Sequence, residues 1–238
     1  MTYQEENQKL IEMFKPCRVT DVRDGMDWMG YHHYGSVHHS IRPLFRPKSS
    51  TAGIARTARY IPYEGPTPAL TPDEYTKWVG KYYAEVNSEP FVQDLQPGDF
   101  LCIDMAGQNG ALDVGLLGSA NTLVHRKKGC VGWMTNGGGV RDTDECVLQG
   151  NNVWSTHISQ TMCQARMRFI EKDCPIGIGG VAIYPGDVVV ADGDGVIVVP
   201  RKVARDVARY AWQEASNDKK GRKQLYLDLG MALDETVE

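Results

Sequence analysis

The sequence predicts an α/β fold, and three observations predict it. In the second half, short apolar runs of strand length alternate with segments bearing helix-start and helix-stop residues. The stretch VAIYPGDVVVADGDGVIVVP, residues 181–200, reads as β-branched strands joined by Pro-Gly and Asp-Gly turns. No internal repeat or low-complexity linker separates the two kinds of element, so they surround one core.

Taken in order, residues 4–14 and 20–29 fit short amphipathic helices, the second entered through Thr20 as N-cap. YHHYGSVHHS is an irregular loop, and AGIARTARYI alternates like a half-buried strand. A Pro/Gly-rich loop from residue 62 leads into a helix starting near Pro72. GDFLCIDM is a strand, and residues 119–128 form a helix with apolar positions Ala120, Leu123 and Val124. CVGWMT is a strand, 142–149 a helix closed by Gly150, and NNVWST another strand. From Lys202 the chain is helical nearly to its end.

Composition narrows the partners. The 238 residues are 42% hydrophobic and 24% charged, with 26 Lys and Arg against 30 Asp and Glu, a net charge of −4. Duplex binding usually needs a concentrated basic face, and the one dense basic stretch, NDKKGRKQ, fits a solvated helix end, so no nucleic acid is expected. No window approaches the ~18 apolar residues of a membrane span, and MTYQEENQKLIEMF has no signal-peptide character. Cysteines 17, 102, 130, 146, 163 and 174 lie far apart with no CxxC pair, as in a reduced cytoplasmic protein.

Two strand-to-helix junctions carry the chemistry. In GLLGSANTLV, Gly118 precedes Ser119, and the amides of Ala120 and Asn121 are first-turn donors able to bind a carboxylate or phosphate. In NGGGVRDTDE, glycines bring Arg141 and Asp142 to the end of a strand. Arg141 offers a planar fork of donors to a carboxylate or keto oxygen, and Asp142 a hard oxygen ligand of the kind Mg²⁺ prefers. Glu145 could hold a metal-bound water. Asp142-x-x-Glu145 is also a capping-box pattern, in which both acids serve only backbone amides, and spacing leaves both readings open.

Other motifs read structurally. Histidines 32, 33, 38 and 39 lack helical HxxxH spacing. ADGDGV fits a hairpin turn better than a calcium loop. His157 beside Ser155 and Ser159 has no nucleophile elbow around it, and GIGGV opens no helix as a dinucleotide fingerprint would.

The order of GLLGSANTLVHRKKGCVGWMTNGGGVRDTDE and GGVAIYPGDVVVADGDGVIVVP resembles the RraA-like family. That family joins regulators of ribonuclease activity with 4-hydroxy-4-methyl-2-oxoglutarate / 4-carboxy-4-hydroxy-2-oxoadipate aldolases. The resemblance spans about residues 15–215, strongest over 97–200, with TDVRDGMDWMG and IRPLFR fitting more loosely. It implies a β/β/α fold like the phosphohistidine swivelling domain over residues 1–200, an insertion at about 62–90 and a C-terminal helical extension over 201–238.

The resemblance further implies a homotrimer or homohexamer with sites between subunits. Arg141 would contact the pyruvyl group, Asp142 would bind Mg²⁺ or Mn²⁺, and Gly118, Ser119 and the Ala120 and Asn121 amides would hold the 2-oxo acid substrate. Glu145 matches an acid of the aldolase branch, and Glu214 or Asp218 of a neighbouring subunit would be the second acid. Two departures stand out: Ser119 occupies a position that is Asp or Glu in the aldolases, and the triple-glycine run holds one residue more than usual. Three functions follow: a metal-dependent aldolase releasing pyruvate that also decarboxylates oxaloacetate, a non-catalytic regulator of a ribonuclease or other protein, or a lyase on a sugar-derived oxo acid.

Overall fold

Apolar runs between residues 97 and 200 supply most of the strands of one large sheet. A computed structural model describes residues 2–105, 113–137 and 139–238. Two helices, α1 (Tyr3–Phe14) and α2 (Val19–Trp28), precede β1 (Arg42–Pro43), β2 (Thr51–Pro62) and α3 (Pro72–Glu85). Then come β3 (Asp99–Asp104), β4 (Gly115–Leu117), α4 (Ser119–Lys127), β5 (Gly132–Thr135), β6 (Gly139–Val140) and α5 (Thr143–Leu148). The chain continues through β7 (Val153–Ser155), β8 (Met167–Lys172), β9 (Ile176–Ile178), β10 (Val181–Ile183), β11 (Val188–Ala191) and β12 (Val196–Val199) to α6 (Ala204–Asp228).

The large sheet runs β1-β7-β5-β3-β2-β11-β12, with β8 also paired to β2. Its centre, β2, β3, β5 and β7, is parallel, and the flanking strands are antiparallel. Every residue of β3 is buried, as expected of a strand covered on both faces. The period of two sorts its side chains: Leu101 and Ile103 join Trp133 and Val153 on one face, Phe100 and Cys102 join Met134 and Trp154 on the other.

The valine-rich hairpin β11–β12 obeys the same rule. Val188, Val190, Ile197 and Val199 meet a helical layer in which α1, α2 and α6 contribute Leu10, Phe14, Val22, Met26, Val207 and Ala211. Burying each such side chain contributes about 1.5–3 kcal/mol, so this layer fixes the three helices to the sheet. A side chain on Gly25 of α2 would sit 2.5 Å from the Val207 carbonyl oxygen, so only glycine lets α2 and α6 approach this closely.

Helix starts follow the cap residues, with one correction. Thr71 Oγ1 and Glu74 form a reciprocal box that starts α3 at Pro72, as the sequence indicates. α2 begins at Val19, before the expected Thr20, because the Arg18 amide donates to Asp21 Oδ2 at 2.8 Å and the acid supplies the cap. Strand β8 has no counterpart in the sequence reading: MRFIEK mixes exposed, half-buried and buried positions without clean alternation.

Candidate active site

Two short strands, β4 and β6, pair in parallel and end side by side, each running into a helix. The Arg141 amide donates to the Leu117 carbonyl at 2.7 Å and ties the two ends together.

At the first junction Gly118 is extended (φ −136°, ψ 178°). Its amide donates to Asn121 Oδ1 at 2.8 Å, and Thr122 Oγ1 donates back to the Gly118 carbonyl at 2.7 Å. Among the described residues, the amides of Ala120 and Asn121 meet no acceptor, which leaves two donors at the positive end of α4.

At the second junction Asp142 is left-handed (φ 53°, ψ 45°) and its side chain makes no capping bond. The capping-box reading of Asp142-x-x-Glu145 is therefore not realised. The carboxylate instead accepts from Arg141 Nε, at 3.1 Å to Oδ1. Glycine makes room for both charges: a Cβ on Gly118 would lie 2.7 Å from Asp142 Oδ2, and one on Gly115 would lie 2.9 Å from Arg141 Cβ. Gly138 of the triple-glycine run lies outside the described residues.

Arg141, Asp142, Gly118, Ala120 and Asn121 line one cleft of about 360 Å³, together with Tyr83, Asn87, Glu89, Met162 and Cys163. The structure thus brings five of the sequence-derived positions together. Ser119 is half-buried but does not line the cleft, and Glu145 is exposed on α5 and also outside it. Glu214 and Asp218 lie on α6, in the helical layer, where Asp218 pairs with Arg18 at 3.5 Å. Within one chain they do not reach this cleft.

Sequence reasoning missed Glu89. Its Oε1 accepts from Asn121 Nδ2 at 3.3 Å, and its Oε2 lies 3.4 Å from Nε2 of His125. His125 is fully buried, and its Nδ1 accepts from Trp133 Nε1 at 3.1 Å. An indole only donates, so Nδ1 is the acceptor and Nε2 carries the proton offered to Glu89. The relay Trp133–His125–Glu89 thereby fixes a carboxylate in the wall of the cleft.

This network also explains why α4 departs from its expected apolar face. Polar Thr122 and His125 are its buried side chains, while Leu123 and Val124 are 42% and 52% exposed. Hydrogen bonds to Gly118, Asn151, Trp133 and Glu89 make the inward polar face tolerable.

The remaining wall is uncharged. Tyr83 donates to Gln164 Oε1 at 3.1 Å, and burial raises its phenol. Burial pushes the Cys163 thiol up to about 12, with the charge of Glu89 adding to it, so the thiol stays protonated at neutral pH and is no nucleophile. Asn87 is 4% exposed, and its Oδ1 has no hydrogen-bond partner among the described residues.

Other motifs fall where they were expected. Asp192 and Asp194 sit in the turn between β11 and β12, where Asp192 Oδ2 accepts the Val19 amide at 2.8 Å. The His38 and His39 rings lie tilted against each other, centroids 4.0 Å apart, in the loop before β1. A larger cleft of about 620 Å³ is lined by His38, Ser40, Asn136, Thr156 and His157, with no carboxylate or guanidinium among the described residues. All six cysteines are buried and free. No described helix is long and apolar enough to cross a membrane.

The structure is thus an α/β protein whose paired strand ends open on a cleft lined by Arg141, Asp142 and Glu89. The family model described as RraA-like, Aldolase/RraA, matches residues 17–198, and the chain belongs to that family. It is 26% identical over 198 residues to Protein DlpA of Legionella pneumophila, which covers 83% of this chain and 28% of that one. It is 29% identical over 148 residues to a Halalkalibacterium halodurans protein provisionally named 4-hydroxy-4-methyl-2-oxoglutarate aldolase, covering 61% of this chain and 66% of that one. The chain therefore spans less than a third of the first relative's length and about two thirds of the second's.

Streptomyces coelicolor RraAS2, described as an unusual member of the RNase ES inhibitor RraA protein family, shares the fold. Its TM-score is 0.68 at 22% identity, covering 90% of this chain and 96% of that one. The expected family and α/β class, with a C-terminal helix, both hold.

Proposed function

We propose that this protein is a divalent-metal-dependent lyase that cleaves a carbon–carbon bond in a 4-hydroxy-2-oxo acid and releases pyruvate. The observation that carries this reading is the Arg141–Asp142 pair: adjacent charges line a cleft, and the carboxylate is free of capping duty. Holding a non-glycine residue at positive φ costs about 1 kcal/mol or more, and such strain clusters at functional sites.

Asp142 would hold Mg²⁺ or Mn²⁺. Among the described residues no three His, Cys, Asp or Glu side chains gather as a metal cage. One carboxylate with water and substrate completing the shell is a common arrangement for Mg²⁺, so the donor set fits. When bound, the cation supplies positive charge against the enolate that forms as the bond breaks.

The chain's own groups do the rest. The amides of Ala120 and Asn121 bind the substrate carboxylate, and Arg141 places its guanidinium beside the keto oxygen as negative charge develops there. A base takes the proton of the C4 hydroxyl, the C3–C4 bond breaks to leave a new carbonyl, and the enolate is protonated at C3 to give pyruvate. Glu214 or Asp218 of a neighbouring copy would take that proton, and Glu145, exposed on α5, would orient a water at the site. Oxaloacetate would lose CO₂ through the same enolate. Exposed Leu123, Val124, Val147 and Leu148 on α4 and α5 support assembly of copies beside the cleft, as a homotrimer or homohexamer requires.

Purified protein with Mg²⁺ should release pyruvate from oxaloacetate or 4-hydroxy-4-methyl-2-oxoglutarate, and EDTA should stop it. Arg141→Ala and Asp142→Ala should each lower turnover by at least roughly a hundredfold. Full activity in both variants sinks the assignment.

Ser119 favours a second reading, because the junction lacks the acid of the aldolase branch. In that case the chain binds a ribonuclease or another protein without turnover. Inhibition of a ribonuclease together with no metal-dependent consumption of any oxo acid would establish it.

A further inference from the structure

We infer that Asn87 and Glu89, on the segment after α3, select an oxo acid whose tail carries hydroxyl groups rather than a second carboxylate. This rests on reading the cleft as an oxo-acid site and names its substrate class.

The polar groups of the cleft are of two kinds. Arg141 and the amides of Ala120 and Asn121 are donors, matched to a carboxylate and a keto oxygen. Asn87 and Glu89 offer acceptors. Asn87 lines this cleft, and its buried Oδ1 has no partner among the described residues. A buried acceptor without a donor is rare, and a ligand hydroxyl satisfies it. Each Glu89 oxygen takes one donor, from Asn121 and from His125, and each keeps a lone pair for another.

A second carboxylate would bring only acceptors against these acceptors, and its charge would meet that of Glu89 in a partly dry site. A polyol tail brings donors. The relay from Trp133 through His125 holds Glu89 in place, so the wall is preformed and does not reorganise to suit a diacid.

Calorimetric titration of the intact protein in Mg²⁺ tests this with two acids that share the 4-hydroxy-2-oxo head. One is 3-deoxy-2-oxo-gluconate, with a hydroxylated tail, and the other 4-hydroxy-4-methyl-2-oxoglutarate, with a carboxylate tail. Wild type should bind the first at least roughly tenfold more tightly. Glu89→Gln keeps an acceptor for His125 and should narrow that ratio to within roughly threefold, through tighter binding of the diacid. Asn87→Leu should weaken the polyol acid roughly tenfold without weakening the diacid, and a cooperative thermal unfolding transition should show the variant folded despite losing the contact between the amide and the Cys163 thiol.

Equal or tighter binding of the diacid by wild type overturns the inference. So does a ratio that neither variant moves, or failure of both acids to bind. Preferred binding of the polyol acid without pyruvate release sinks the lyase reading alone. Pyruvate release from both acids at equal affinity sinks only the inference about the tail.

Discussion

The two junctions β4–α4 and β6–α5 share a topology and differ in how they treat their charge. At the first, Asn121 folds back on the Gly118 amide, Thr122 returns to the Gly118 carbonyl, and residues 117–122 carry no charged side chain of their own. At the second, Asp142 adopts a left-handed backbone, leaves its own helix uncapped and pairs sideways with Arg141. The quiet junction supplies neutral donors and a flat glycine floor, and the strained one supplies the ions that lie on it. Local stability and local function are divided between two copies of one motif.

Three substitutions sharpen this contrast. The largest effect is expected for Asp142→Gly. Glycine is at home at φ 53°, so denaturant unfolding should stay within about 1 kcal/mol of wild type while pyruvate release falls at least roughly a hundredfold. A large loss of stability would show that the carboxylate serves the fold and not the site. Gly118→Ala comes next. Its Cβ would press on Asp142 Oδ2 and Arg141 Cγ, displacing both by tenths of an ångström, and kcat should drop roughly tenfold to a hundredfold with a modest fall in Tm. Unchanged kinetics would mean that the two charged side chains do not act from their observed positions. The smallest effect is expected for Ser119→Asp. An acid at the first position of α4 sits at the positive end of the helix dipole, between the cleft-lining Gly118 and Ala120. It should lower the Mg²⁺ concentration for half-maximal activity by roughly twofold to fivefold, measured by metal titration. A higher requirement would argue that this junction takes no part in holding the metal.

What could be read from the sequence depended on the range of the forces involved. Strand β3, the β11–β12 hairpin and the start of α3 are written in local periodicity and cap residues, and they appear where expected. Arg141, Asp142 and the first-turn amides of α4 were visible because both junctions carry glycine next to their polar residues. Glu89 was not visible: its partners Asn121 and His125 lie 32 and 36 positions away, and no neighbouring residue marks it. The face of α4 was misread for the same reason, since a hydrogen bond to Trp133 is what makes a buried histidine acceptable there. Strand β8 exists because the long β2 extends beyond β11 and needs a partner, a requirement invisible in MRFIEK itself.

The indole of Trp133 is 1% exposed and only one imidazole away from the cleft. Trp28 and Trp212, by contrast, are 61% and 59% exposed and sit among the helices. Two hydrogen bonds, through His125, are all that separate this shielded ring from the Glu89 carboxylate. The other fully shielded indole, Trp154, donates instead to the Asp192 carbonyl, so Trp133 alone of the two is wired toward the cleft wall.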